Sequence, residues 1–210
     1  MSKVLMVNGG PHKAGCTYTA LREAAGALEK RGIETEICWL GNEPVAGCAA
    51  CGACRATGRC CKKDAVNLFL DKAEKADGFV FGSPVHFASA TGAITSFMDR
   101  AFYAAFGAAG LFFGKPTAAI VTCRRGGATA AFDQLNKYFT ISGMPVVSSK
   151  YWNMAHGNTP DEVKRDLEGM QVMRALGENM AWLLKCIEAG KAAGVPPPEQ
   201  EQRVATNFIR

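Results

Sequence analysis

Short β-branched and apolar runs alternate with longer segments of helical spacing along most of this chain, and that alternation constrains the fold more than any other feature. Five runs read as strands: Lys3 to Asn8, Ile33 to Leu40, Gly78 to Gly82, Pro116 to Cys123 and Met144 to Ser149. Thr17, Ala20, Leu21, Ala24, Ala25 and Leu28 mark a first helix that Gly32 stops. Asp64 sits where it can cap a helix marked by Val66, Leu68, Phe69, Leu70 and Ala73, and further helices follow from Ala93 to Phe106, to about Ser142, and from Pro160 through Ile187. Parallel neighbours need crossovers, and crossovers are right-handed, so the pattern predicts a doubly wound α/β fold with helices on both faces of a five-stranded parallel sheet. A length of 210 residues suits one such domain. We expect it to span 1–190, with 191–210, which carries Pro196, Pro197 and Pro198, as an extended tail or a disordered one.

A doubly wound sheet binds its ligand beyond the carboxyl ends of its strands, where the strand order reverses. Three short loops lie at that edge: Gly9 to Thr17, Ser83 to Thr91, and Cys123 to Gly127. The first is glycine-rich and opens a helix, so its unpaired amides suit a phosphate. Neither the G-x-x-x-x-G-K-[ST] loop nor a G-x-G-x-x-G with a following acidic residue is present. The formal charge of +5 is spread along the chain without the basic stripe of a nucleic-acid binder. The chain passes from Met1 into a strand without an apolar signal region, and no apolar run reaches membrane-spanning length, so a soluble cytoplasmic protein is expected, with no nucleic-acid or membrane partner.

Nine cysteines are present, five of them between Cys48 and Cys61. Cys48, Cys51, Cys54 and Cys60 form a C-x2-C-x2-C-x5-C run, with Cys61 able to replace Cys60. One loop can thus bring four thiolates to a compact cluster, whereas structural zinc usually takes two widely spaced knuckles. The alternatives are an unmetallated loop and disulfides formed on oxidation. Cys16, at a helix N-terminus, is expected to have a lowered thiol pKa, and Cys38, Cys123 and Cys186 to be inert buried thiols. The apolar positions Phe97, Met98, Phe102, Tyr103 and Phe106 suggest a subunit contact, hence a homodimer or homotetramer.

A phosphate loop after the first of five strands is compatible with the flavodoxin-like arrangement, order 2-1-3-4-5, whose ligand is FMN. The segments NGGPHKAGCT, GSPVHFASATGAITSFMDR and TCRRGGATAAFDQLNKYF resemble the NADPH-dependent FMN reductase family, in particular its branch related to iron-sulfur flavoproteins. The resemblance covers about the first 150 residues. It implies an FMN phosphate wrapped by the loop of Gly10, Pro11, His12, Lys13, Gly15 and Cys16, whose backbone N–H groups, absent only at Pro11, donate to it, with the Thr17 hydroxyl as a further donor. The family usually has Ser, Arg and Asn at Gly10, His12 and Cys16, so phosphate binding here leans on amides, Lys13 and Thr17. Ser83, Pro84, Val85, His86 and Phe87 would lie along the flavin ring, with His86 as the candidate proton donor. Cys123, Arg124, Arg125, Gly126 and Gly127 would approach its pyrimidine edge. On the residues themselves, Trp152, Asn153 and His156 read as core or interface residues, or the aromatic loop Lys150 to Thr159 that holds them covers the flavin or binds the nicotinamide. The resemblance also implies a 4Fe-4S cluster on Cys48, Cys51, Cys54 and Cys60. The activity it implies is an FMN-dependent oxidoreductase passing electrons from NAD(P)H to a flavin, quinone or other acceptor. Alternatives are an electron carrier partnered by ferredoxin and a thiol-based redox sensor.

Overall fold

The computed structural model describes residues 1–107, 110–201, 204, 206 and 208. The elements in order are β1 (Lys3–Asn8), α1 (Cys16–Lys30), β2 (Glu34–Trp39), α2 (Cys54–Thr57), α3 (Ala65–Ala73), β3 (Gly78–His86), β4 (Ser89–Ala90), α4 (Gly92–Gly107), β5 (Thr117–Cys123), α5 (Ala128–Ile141), β6 (Met154–His156), α6 (Pro160–Arg165) and α7 (Leu167–Ala192). The sheet order is β2-β1-β3-β5-β6, all parallel, with the two-residue β4 pairing antiparallel to the end of β3. Counting only the parallel strands, this is the expected 2-1-3-4-5 order in three layers.

Successive side chains of a strand face opposite sides of the sheet, and the core divides accordingly. Leu5, Val7, Phe79, Phe81, Ala119 and Val121 pack with α3, α4 and α5. Val4, Met6, Val80, Ala118 and Ile120 pack with α1 and α7. The first face is dense in aromatic rings, with Phe69 against Phe97 at 5.0 Å and Phe102 against Phe112 at 4.7 Å. Phe97, Met98 and Phe102 are therefore core residues of the single chain, and of the expected subunit face only Tyr103 and Phe106 are exposed.

Three elements differ from the sequence reading. The run Met144 to Ser149 forms only one bridge, Val146 opposite Thr117, while the last ladder is made by β6. Between the two pairings the chain advances from Val146 to Met154, eight positions, while β5 advances four, from Thr117 to Val121. The surplus loops out with Tyr151 and Trp152 exposed, closed by a serine turn in which Ser149 Oγ donates to Tyr151 O at 2.7 Å. The loop expected from Ser83 is a continuation of β3 that folds back through a two-residue hairpin. Phe87 and Ala88 have φ of +49° and +58°, as its primed turn requires. Finally, the long last helix is broken at Asp166, whose carboxylate accepts from Gly169 N at 2.9 Å to cap α7 and from His156 N at 2.7 Å to hold β6. None of the described helices is long and apolar enough to cross a membrane.

Candidate functional site

The order reverses between β1 and β3, and Gly9 N donates to Gly82 O at 2.9 Å to carry their pairing into the loop. A Cβ on Gly9 would stand 2.7 Å from Ile94, and one on Gly82 2.9 Å from Leu21 and Thr17, so the two glycines let α4 and α1 close on the strand ends. The loop between β1 and α1 is braced from inside by Asn8. Its Oδ1 accepts from Gly10 N at 3.0 Å, and its Nδ2 donates to Lys13 O at 3.2 Å and His12 O at 3.5 Å. Trp39 Nε1 adds a bond to Gly10 O at 2.8 Å. At the end of this loop Gly15 is the N-cap of α1 and supplies no side-chain cap, which leaves first-turn amides free for an anion.

The braced loop, the end of β3 and the end of β5 wall one cleft of about 230 Å³. Gly10, Pro11, His12, Gly15, Cys16 and Thr17 line it from the first segment, Pro84, Val85 and His86 from the second, and Cys123 and Arg124 from the third. Thr122, Gly157 and Asn158 complete the wall. Thr17 Oγ1 and Thr122 Oγ1 pair at 2.9 Å in a buried position, linking the first and third segments.

The other expected site residues stand elsewhere. Ser83 is fully buried and structural: Thr91 N donates to its Oγ at 3.1 Å, and Thr91 Oγ1 in turn donates to Gly9 O. Lys13 lines a separate groove with Trp39 and Lys72. Phe87 is fully exposed at the hairpin tip, away from the cleft wall. Arg125 and Gly126 are exposed outside it. Gly127, at φ +90°, caps α5, and a Cβ there would meet Ala88 Cα at 2.6 Å, so it fixes the third segment against the hairpin. Burial pushes the Cys16 thiol up despite its place at a helix N-terminus, contrary to the expected lowering, and burial does the same to Cys123. A Cβ on Gly10 would lie 3.0 Å from Asn8 Oδ1, so the glycine and the asparagine brace belong together.

A family model for NADPH-dependent FMN reductases matches residues 2–159. The chain is a member of that family. It is 31% identical over 191 residues to an iron-sulfur flavoprotein of Methanocaldococcus jannaschii, covering 89% of this chain and 99% of that protein. Among solved structures it resembles RosB bound to 8-demethyl-8-formylriboflavin-5'-phosphate, with a TM-score of 0.68 and 16% identity over 100% of this chain and 94% of the other. A flavodoxin from the Archaea aligns with a TM-score of 0.58 and 14% identity, over 88% and 99% of the two chains. The fold is flavodoxin-like. As an FMN reductase family member the chain is a flavin-dependent oxidoreductase, and the cleft fits a flavin phosphate, having uncapped helix amides at one end and a cation, Arg124, on its wall.

The cysteine loop is anchored by a residue that the sequence reading did not single out. Arg100, on α4, is 2% exposed; it donates to Asp64 Oδ2 at 2.6 Å and Oδ1 at 2.8 Å, to Ala46 O at 3.2 Å and Lys62 O at 3.3 Å, and to Cys60 Sγ at 3.2 Å. Asp64 also caps α3 by accepting from Val66 N. Burial by itself raises the Asp64 carboxyl, but Arg100 and the Val66 amide outweigh it and hold the group below the usual carboxylate range. All five clustered cysteines line one cavity of about 20 Å³, room for roughly one water. Among the described residues no three ligands converge as a metal site. The donor set suits a cluster, with five thiols lining one cavity and three of them exposed.

Proposed function

We propose that the protein takes hydride from NADH or NADPH onto FMN held in the β1–β3–β5 cleft and passes the electrons to a flavin, quinone or other acceptor. The observation that carries this reading is the convergence of three strand-end segments on one cleft at the uncapped start of α1. Bound FMN supplies the hydride and electron chemistry. The chain's own part is to bind and orient. The free amides at the start of α1 receive the phosphate, and Arg124 brings a permanent positive charge to the same cleft. His86, exposed on the cleft wall, offers an imidazole that exchanges a proton with the bound ligand. Anaerobic addition of NADPH and of NADH to the FMN-loaded chain tests the reading: bleaching of the flavin band by at least one of them is expected, and a band that neither nucleotide bleaches sinks it.

Thr17 gives a local test. Thr17→Val leaves the Thr122 hydroxyl buried without a partner, so it should cost about 1–3 kcal/mol of stability and weaken FMN binding, while Thr17→Ser restores both. Urea denaturation and FMN titration of the two variants measure this. Wild-type behaviour of Thr17→Val would count against the placement of the phosphate.

A second reading, an electron carrier with a 4Fe-4S cluster on Cys48, Cys51, Cys54 and Cys60, is favoured by the five thiols lining one cavity. Cys51→Ala should then abolish iron and sulfide incorporation and leave FMN affinity unchanged; iron and sulfide retained by that variant would exclude Cys51 as a ligand.

A further inference from the structure

The hairpin that carries His86 into the cleft has no third strand beside β4 to hold it. Val85 pairs with Ala90 and His86 with Ser89 across the two-residue turn of Phe87 and Ala88. In such a hairpin the residues flanking the turn, here His86 and Ser89, exchange their backbone bonds and the next pair does not, so the N–H of Ala90 points out of the ladder. Ala90 is buried, so this N–H needs a partner from the protein. Gln134, on α5, is that partner: its Oε1 accepts from Ala90 N at 3.0 Å and from Ser89 Oγ at 2.8 Å. About two turns earlier on the same helix, Gly127 lets the hairpin tip close in, since a Cβ there would stand 2.6 Å from Ala88 Cα and 2.9 Å from Val85 Cγ1. Just beyond Ala90, Thr91 ties the returning chain to Ser83 Oγ through its N–H and to Gly9 O through its hydroxyl. Ser89 is the cross-strand partner of His86, so the grip of Gln134 on Ser89 and Ala90 fixes the backbone from which the imidazole reaches the cleft.

We propose that Gln134, which does not itself line the cleft, is the positioning residue for His86: by accepting both hydrogen bonds from the returning strand it holds the imidazole against the bound flavin. The inference rests on the reading that this cleft binds FMN. Both groups that meet Oε1 are donors, so the position requires an acceptor oxygen, which glutamate supplies and leucine does not. Glutamine, glutamate and leucine are close in helix propensity, so these exchanges leave α5 itself little changed.

The test follows the histidine rings by NMR. The chain has three histidines, so ring-labelled protein gives three imidazole signals, and the one missing from His86→Gln belongs to His86. Flavin-free full-length protein is titrated with FMN to saturation, and the wild-type His86 signal should shift. Gln134→Leu should bind FMN roughly 3–10-fold more weakly and, at saturation, lose most of that shift, while Gln134→Glu restores both. Ser89→Ala, which removes one of the two bonds and spares the Ala90 N–H, should move both readouts in the same direction by less, and gives the answer if Gln134→Leu does not fold. A His86 signal that FMN shifts as much in Gln134→Leu or Ser89→Ala as in the wild type, or that Gln134→Glu fails to restore, overturns the proposal and leaves the cleft reading standing. A wild-type His86 signal that bound FMN does not move overturns it as well. No uptake of FMN by the wild type overturns the cleft reading, and the proposal with it.

Discussion

Asp64→Asn is expected to destabilise the protein by about 3–5 kcal/mol, more than Arg100→Met, although the arginine makes more bonds. The asymmetry follows from burial. Arg100 is 2% exposed and carries a charge that its carbonyl and thiol partners cannot neutralise, so loss of the carboxylate strands a buried cation. Arg100→Met removes that charge, and the Asp64 side chain it abandons is 36% exposed and can be hydrated. The double variant should therefore be more stable than Asp64→Asn alone. Urea denaturation of the four proteins as a double-mutant cycle measures the coupling, and equal costs for the two single variants would contradict this account. The pair also sets an acid limit. The folded pKa of Asp64 lies below its unfolded value near 4, so the stability it contributes is complete above that value and is lost as pH falls through the folded pKa. Asp64→Asn should remove this part of the acid sensitivity.

Asn8→Ala is expected to weaken FMN binding by roughly 10–100-fold, equivalent to about 1–3 kcal/mol of loop ordering lost with the brace. Asn8 is fully buried at the end of β1, its side-chain hydrogen bonds go to the loop's backbone, and it does not line the cleft, so the variant changes no group that faces it. Titration of the flavin-free variant with FMN measures the effect; wild-type affinity would show that the loop holds its shape without the brace.

The layers and strand order were legible because the central parallel strands β1, β3 and β5 are largely apolar runs, and burial on both faces selects such runs, while the edge strand β2 is only half-buried. The last strand was misplaced for the same reason. Met144 and Val147 are buried and apolar, but their segment forms a single bridge, at Val146, whereas Met154 to His156 pair fully in a segment with no β period. With the strand at its true position, the rule that ligands lie beyond carboxyl ends would have pointed to Gly157 and Asn158, which follow it directly. Asn8 also left a signal, an asparagine two residues before Gly10 at a strand end, the spacing of an Asx turn. Arg100 left none: a single arginine in an apolar helix gains its meaning from Asp64, thirty-six positions away.

The central claim, that the start of α1 holds the phosphate of a bound flavin, is tested most directly by titrating the flavin-free full-length chain with FMN and with riboflavin. The predicted result is one FMN per chain, with riboflavin, which lacks the phosphate, bound on the order of 100-fold more weakly. Equal affinities for the two, or no uptake of FMN, would contradict it.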